Sequence, residues 1–199
     1  MRNAMSWRAV GLLAAVSVAL SACAGKSKEA PARPEEAFSQ MEPMSIPGPV
    51  EYALKAGADA EVNRDAKGRP LSIVVRIYQL KDRNAFARLG FDAFVSGQRD
   101  AELFSGEMVA VNEMVLLPGT TQELTDRLSP EAKYVGVAAF FRSPDARRWR
   151  FLVDGGSVVR EGLNFTVKDC YFDAVQPAAE PLPGQQVGNA PECGATLRR

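Results

Sequence analysis

The run Ser72 to Leu80 (SIVVRIYQL) constrains this chain more than any other segment. Extended, it sets Ile73, Val75, Ile77 and Gln79 on one face and Val74, Arg76, Tyr78 and Leu80 on the other. β-Branched side chains crowd a helix and fit a pleated surface, so the run reads as a strand, half or fully buried. Lys133 to Arg142 (KYVGVAAFFR) is a second core strand. Val50 to Lys55 offers a first one, and Glu107 to Leu117 another, ending at the turn pair Pro118-Gly119. Thr121 to Leu128 alternates loosely. Arg148 to Val153 precedes Asp154-Gly155-Gly156, a hairpin-turn signal, and Leu163 to Phe172 closes the set. Seven or eight short strands with turn punctuation predict a mainly β protein built as a two-sheet β-sandwich. Asn84 to Leu103 breaks the pattern. Phe86, Leu89, Phe91, Phe94 and Val95 recur at mixed helical spacings, Asp82 suits an N-cap, and Gly97 suits a helix end. One or two short helices are therefore expected between the second and third long strands, with their aromatic face packed on the sandwich.

The N-terminus dictates export. Arg2 and Arg8 form a positive region, and Ala9 to Leu20 an apolar run interrupted only by Gly11 and Ser17. That run is shorter than the roughly 20 apolar residues a membrane span needs, and it fits the removable core of a secretory signal. Leu20-Ser21-Ala22-Cys23 resembles the lipobox of bacterial lipoproteins, in which cleavage precedes a cysteine that is then acylated. Several acyl chains, palmitate among them, anchor firmly where one would not. Ala24, and not Asp, follows the cysteine, which favours an outer-membrane location facing the periplasm.

Charge and cysteines narrow the function classes. Cutting before Cys23 removes Arg2 and Arg8 from a chain with 24 basic and 24 acidic side chains, leaving a mature balance of −2. This argues against nucleic acid as a partner. No histidine is present, which excludes Ser-His-Asp and Cys-His catalysis and any His-ligated metal. Neither a cofactor nor a metal is expected. With Cys23 lipidated, Cys170 and Cys193 remain as a plausible disulfide pair in an oxidising compartment, the alternative being two free thiols. The domain reading is a signal peptide over residues 1–22, a lipidated cysteine and flexible tether over 23–49, a sandwich over 50–175 and a Pro-rich loose tail over 176–199. The tether composition cannot bury enough surface to fold, and its reach as a coil is on the order of 30 Å.

The middle of the chain resembles a known family. Asn63-Arg64-Asp65-Ala66-Lys67-Gly68-Arg69-Pro70 is followed by Val74 to Leu80, the aromatic segment Phe86 to Phe94, and Leu117-Pro118-Gly119. Tyr134 to Arg142 and Trp149-Arg150 come last. In this order, behind a lipobox, they resemble TssJ, the outer-membrane lipoprotein family of the type VI secretion system, over about residues 50 to 172. One departure is Arg64, where the family pattern leads one to expect proline. The resemblance implies a transthyretin-like sandwich with added helices. It also implies a partner, the periplasmic C-terminal domain of a TssM-like inner-membrane protein, in a complex with an outer-membrane channel component. The family's main contact loop joins the first two strands, here about Asp59 to Leu71.

The residues of that loop agree. Asn63, Asp65, Gly68 and Pro70 are turn formers, so the segment should project, and Arg64, Lys67 and Arg69 make its tip basic. Asn63 to Leu71 are thus the candidate partner-binding residues. Glu102, Glu107, Glu113, Glu123, Asp126 and Glu131 could supply a glycosidase pair, but nothing in the sequence sets two of them in one cleft, and no enzyme is expected. Arg76, Arg142 and Arg150, in or beside apolar strands, are read as structural pairs across the sheet, the alternative being an exposed strand face that meets a partner, and Tyr78 and Trp149 are read as packing. The competing reading is a generic envelope lipoprotein that binds a small ligand or peptidoglycan.

Overall fold

The structure is a computed structural model that describes residues 47–185 and 191–193. Cys23, most of the expected tether and part of the C-terminal tail lie outside the described residues. Eight strands form two four-stranded sheets. In chain order the elements are β1 (Val50–Ala58), β2 (Ile73–Leu80), α1 (Asn84–Arg88), α2 (Phe91–Val95), α3 (Asp100–Leu103), β3 (Met108–Leu116) and β4 (Thr121–Leu128). Then follow β5 (Tyr134–Ala139), β6 (Arg150–Asp154), α4 (Gly155–Glu161), β7 (Leu163–Val167) and β8 (Phe172–Gln176). One sheet runs β4-β1-β7-β8 and the other β3-β2-β5-β6. All pairings are antiparallel except β1 with β7.

The period of two in each strand sorts its side chains. Ile73, Val75 and Ile77 of β2 face the other sheet together with Val137 of β5 and Phe151 of β6, and from the opposite sheet Leu54, Phe165 and Phe172 come to meet them. Phe151 packs edge-on to Phe172, with ring centroids 4.8 Å apart. Gln79 lies in this interior at 4% exposure without cost, because its amide donates to the Arg127 carbonyl at 2.7 Å and accepts from the Ser129 N–H at 2.8 Å. It thereby ties β2 to the chain leaving β4.

The other face of β2 is covered too, which explains its apolar run on both sides. Tyr78 there meets Phe86, Phe94 and Phe104 from the helical insertion. Gly136, beside Tyr78 on β5, leaves room for the Phe86 ring; a Cβ there would stand 2.7 Å from it. Arg150 is buried beneath α1 and donates to the carbonyls of Phe86, Ala87 and Leu89, the last carbonyls of that short helix. Those groups have no partner within the helix, so a buried cation fills the role of a C-terminal cap. Burial without a carboxylate lowers the Arg150 pKa to about 10. Arg76 pairs with Glu113 of β3 at 2.7 Å and with Asp100 of α3 at 3.3 Å.

The structure corrects three sequence expectations. Asp154-Gly155-Gly156 does not turn a hairpin but starts α4: the Asp154 carboxylate accepts from the Ser157 N–H at 2.8 Å, an N-cap. α4 then carries the chain between sheets, which is how β7 comes to lie parallel to β1. Leu163 to Phe172 is not one strand, because Lys168 N–H donates to the Tyr171 carbonyl and turns the chain into β8. The tail is not loose where it begins. Pro177 and Leu182 are buried, Glu180 N–H donates to the Leu152 carbonyl of β6 at 2.7 Å, and Arg83 pairs with Glu180 at 3.0 Å. The apolar prolines and Leu182 cover a sheet edge that would otherwise expose unpaired backbone.

Candidate docking surface

Strand direction alone gathers four connections at one end of the sandwich: β1–β2, β3–β4, β5–β6 and β7–β8. Hydrogen bonds knit them together. Ala58 N–H donates to Thr120 O and Gly119 N–H to Asp59 O, both from or to the β3–β4 turn, and Asp59 N–H donates to Val167 O at the end of β7. The β1–β2 connection, residues 59–72, crosses from one sheet to the other over this end.

Asn63 is the keystone of that connection. It takes φ 53°, a left-handed conformation that asparagine tolerates better than most residues, and it is 6% exposed. Its N–H donates to the Asp169 carbonyl at 2.8 Å, its side-chain amide donates to the Ser72 carbonyl at 2.9 Å, and its side-chain oxygen accepts from the Arg142 N–H at 2.9 Å. One residue thus joins three of the four connections, two through its side chain and the third through its backbone N–H. Beyond it, the Asp65 carboxylate accepts from the backbone N–H groups of Lys67 and Arg69 at 2.8 and 3.0 Å and from the Arg69 guanidinium at 2.8 Å. These Arg69 bonds, backbone first, hold the Asp65 carboxyl below its usual range. Gly68, at φ 76°, closes the turn by donating to the Asp65 carbonyl. Leu71 N–H donates to the Val62 carbonyl at 3.2 Å, and Val62 is fully buried. The loop is therefore a folded unit with a buried base.

The tip is less basic than the sequence implies. Arg64 hydrogen-bonds the Asp169 carboxylate, which raises its pKa above the ordinary value, and lies 3.4 Å from Glu61. Arg69 is matched by Asp65. Among the described residues, only Lys67 of the three expected cations is without an ion pair. Asn63 sits at the base of the loop instead of projecting, Leu71 is half-buried, and Pro70 is exposed. The acids weighed for catalysis are spread over the surface with separate partners: Glu102 with Arg99, Glu113 with Arg76, Glu123 with Lys55, Glu131 with Lys81, and Asp126 with Tyr52 and Asn112. Glu107 accepts from the Ala85 N–H.

Asp169 and Asp145 of this end escaped the sequence reading, and Arg142, weighed as a structural pair or as part of an exposed face, is exposed here. Asp145, 2% exposed, ties this end to the C-terminus: its N–H donates to Cys170 O, and its carboxylate accepts from the N–H groups of Arg147, Arg148 and Glu192. Burial acts to raise the Asp145 pKa, but those backbone donors outweigh it and hold it below the usual range. Asp145 follows Ser143-Pro144, a turn signal that would have marked it. The structure joins Cys170 to Cys193, with Cα atoms 5.5 Å apart. That bridge walls a hollow of about 500 Å³ whose other sides are Asn63, Arg64, Asp65, Arg142 and Ser143. Val115 near the end of β3 and Leu117 on the β3–β4 connection are each about half exposed.

Comparison with known proteins adds the following. The sequence profile described as "Type VI secretion lipoprotein, VasD, EvfM, TssJ" matches residues 50–170. No match was found among curated proteins. A chain in a solved structure described as a type VI membrane complex is 30% identical with a TM-score of 0.58, over 64% of this chain and 98% of that one. A chain in a structure described as the T6SS protein TssM C-terminal domain from EAEC is 30% identical with a TM-score of 0.53, over 65% and 99%. The T6SS lipoprotein TssJ1 from Pseudomonas aeruginosa, at 24% identity, TM-score 0.55 and coverage of 68% and 99%, shares the fold.

Proposed function

The chain belongs to the type VI secretion lipoprotein family that includes TssJ, whose profile it matches over residues 50–170, and from that premise we propose that it docks the periplasmic C-terminal domain of a TssM-like inner-membrane protein. In this reading the protein is held in the outer membrane by acylated Cys23 and faces the periplasm. It belongs to the membrane complex of the secretion system together with the outer-membrane channel component. The β1–β2 loop, Asn63 to Leu71, is the contact.

The observation that carries the reading is the internal order of that loop. Asn63 and Asp65 hold it in one shape before any partner arrives. A preformed loop loses little conformational entropy on binding, which is what a docking element requires. The likeness to chains in structures described as a type VI membrane complex and a TssM C-terminal domain points to the same class of partner.

Fractionation tests the anchor and co-purification the partner. Wild-type protein is expected in outer-membrane fractions and to retain the TssM-like protein on an affinity column. Cys23→Ser is expected in soluble fractions while still retaining the partner from detergent extract. Outer-membrane recovery of Cys23→Ser in a strain lacking the partner contradicts the anchor, and failure of the wild-type protein to retain the partner contradicts the docking.

A further inference from the structure

We propose that the hollow between the β1–β2 loop and the Cys170–Cys193 bridge receives an acidic side chain of the docked partner, anchored by Arg142. The inference rests on the docking reading above and adds a recognition pocket and its specificity to it.

Charge matching around the hollow selects Arg142. The carboxylate of Asp169 is engaged by Arg64, and that of Asp65 by two backbone N–H groups and Arg69. Arg147, on the same connection as Arg142, faces Glu192. Arg142 alone of the guanidinium groups lining the hollow has no carboxylate partner among the described residues, and its side chain is exposed. Lys67, likewise without an ion pair among the described residues, stands on the β1–β2 loop beside the hollow.

Position argues the same way. The Arg142 backbone is not free to wander: its N–H is held by the buried Asn63 side chain at 2.9 Å. The guanidinium is thus carried on a fixed base at the rim of a cavity of about 500 Å³, space enough for an Asp or Glu side chain with accompanying water. Part of the lining is the disulfide, which offers no strong hydrogen-bond donor, and the carboxylates of Asp65 and Asp169 in the lining are engaged by Arg69 and Arg64. A carboxylate entering here meets one available guanidinium, with geometry suited to two parallel N–H···O bonds. The selected partner chemistry is a protein carboxylate presented on a convex element. Of the three arginines read as structural pairs across the sheet, Arg76 alone makes such a pair, with Glu113; Arg150 is held by the α1 carbonyls instead, and Arg142 makes no ion pair among the described residues.

The test is calorimetric titration of the processed protein with the periplasmic domain of the TssM-like partner. Arg142→Glu is expected to lower the affinity by at least about tenfold and Arg142→Ala by about fivefold. Arg142→Lys should fall between wild type and Arg142→Ala, because a point charge replaces the planar fork. Replacing acidic residues of the partner domain singly by Arg should identify one that restores binding to Arg142→Glu and weakens binding to wild type. Thermal unfolding of each variant should match wild type, since the Arg142 side chain makes no ion pair within the described protein. Unchanged affinity of Arg142→Glu alongside binding by wild type overturns the pocket and leaves the docking reading standing. Failure of wild type to bind overturns both. An affinity loss matched by a fall in melting temperature assigns Arg142 a structural role and overturns the pocket.

Discussion

Replacing Asn63 by Ala attacks the docking surface at the point where its connections meet. The substitution removes two side-chain hydrogen bonds, one to the Ser72 carbonyl and one from the Arg142 N–H, each 2.9 Å long. A net hydrogen bond of this kind contributes about 1 kcal/mol. It also leaves a β-carbon-bearing residue with no compensating side-chain bond at φ 53°, which costs roughly 1–2 kcal/mol. The expected loss of stability is therefore about 3–4 kcal/mol. Asn63→Gly separates the two contributions. It loses the same bonds without the left-handed strain and should be less destabilising than Ala by about 1 kcal/mol. Asn63→Asp keeps the acceptor for Arg142 and loses the donor to Ser72, so it should fall nearer wild type than Ala does. Urea unfolding followed by Trp149 fluorescence measures all three, and partner titration should show the Ala variant weakened. Stability of Asn63→Ala within about 0.5 kcal/mol of wild type would refute the keystone role.

Other consequences follow from the same packing. Gly136→Val drives a branched side chain into the Phe86 ring, where even a Cβ stands 2.7 Å away, and should destabilise by about 1–3 kcal/mol in denaturant unfolding. Reducing the Cys170–Cys193 bridge, whose ends are 23 residues apart, should cost roughly 3 kcal/mol by the chain-entropy estimate, read as a fall in melting temperature that Cys170→Ser/Cys193→Ser reproduces without reductant. Asp145 has a lowered pKa, so its contribution is present above the unfolded value of about 4 and is lost as pH falls through the folded value. Stability measured between pH 6 and pH 2, about 4 units apart, should therefore drop less steeply for Asp145→Asn than for wild type below about pH 4.

Much of the fold was legible because periodicity is a local property. Ser72 to Leu80 and Lys133 to Arg142 announce strands covered on both faces, and the helical insertion supplies the second cover. Local signals failed where one motif serves two geometries. Asp154-Gly155-Gly156 fits a hairpin and also fits an N-cap with two small residues, and only the need to cross between sheets decides. The continuous alternation of Leu163 to Phe172 hides a turn near Cys170 that depends on backbone pairing with a strand not yet formed. The candidate loop was visible from Asn63, Asp65, Gly68 and Pro70, but its electrostatics was not. Asp169 lies 105 residues from Arg64, and no local pattern links them. Long-range pairing of this kind converted a tip that counts as basic into one that is nearly balanced, and left Lys67 and Arg142 without an ion pair among the described residues.

The central claim is that the β1–β2 loop docks a TssM-like periplasmic domain. The most direct measurement is calorimetric titration of the processed protein with that domain, comparing wild type with a variant in which Ala66-Lys67-Gly68 is shortened to a single Gly while Asn63 and Asp65 are kept. The account predicts one-to-one saturable binding by wild type and a loss of at least about tenfold in affinity for the shortened loop, with little change in thermal stability because the tip lies outside the sandwich core. Equal affinity of the two proteins would contradict it.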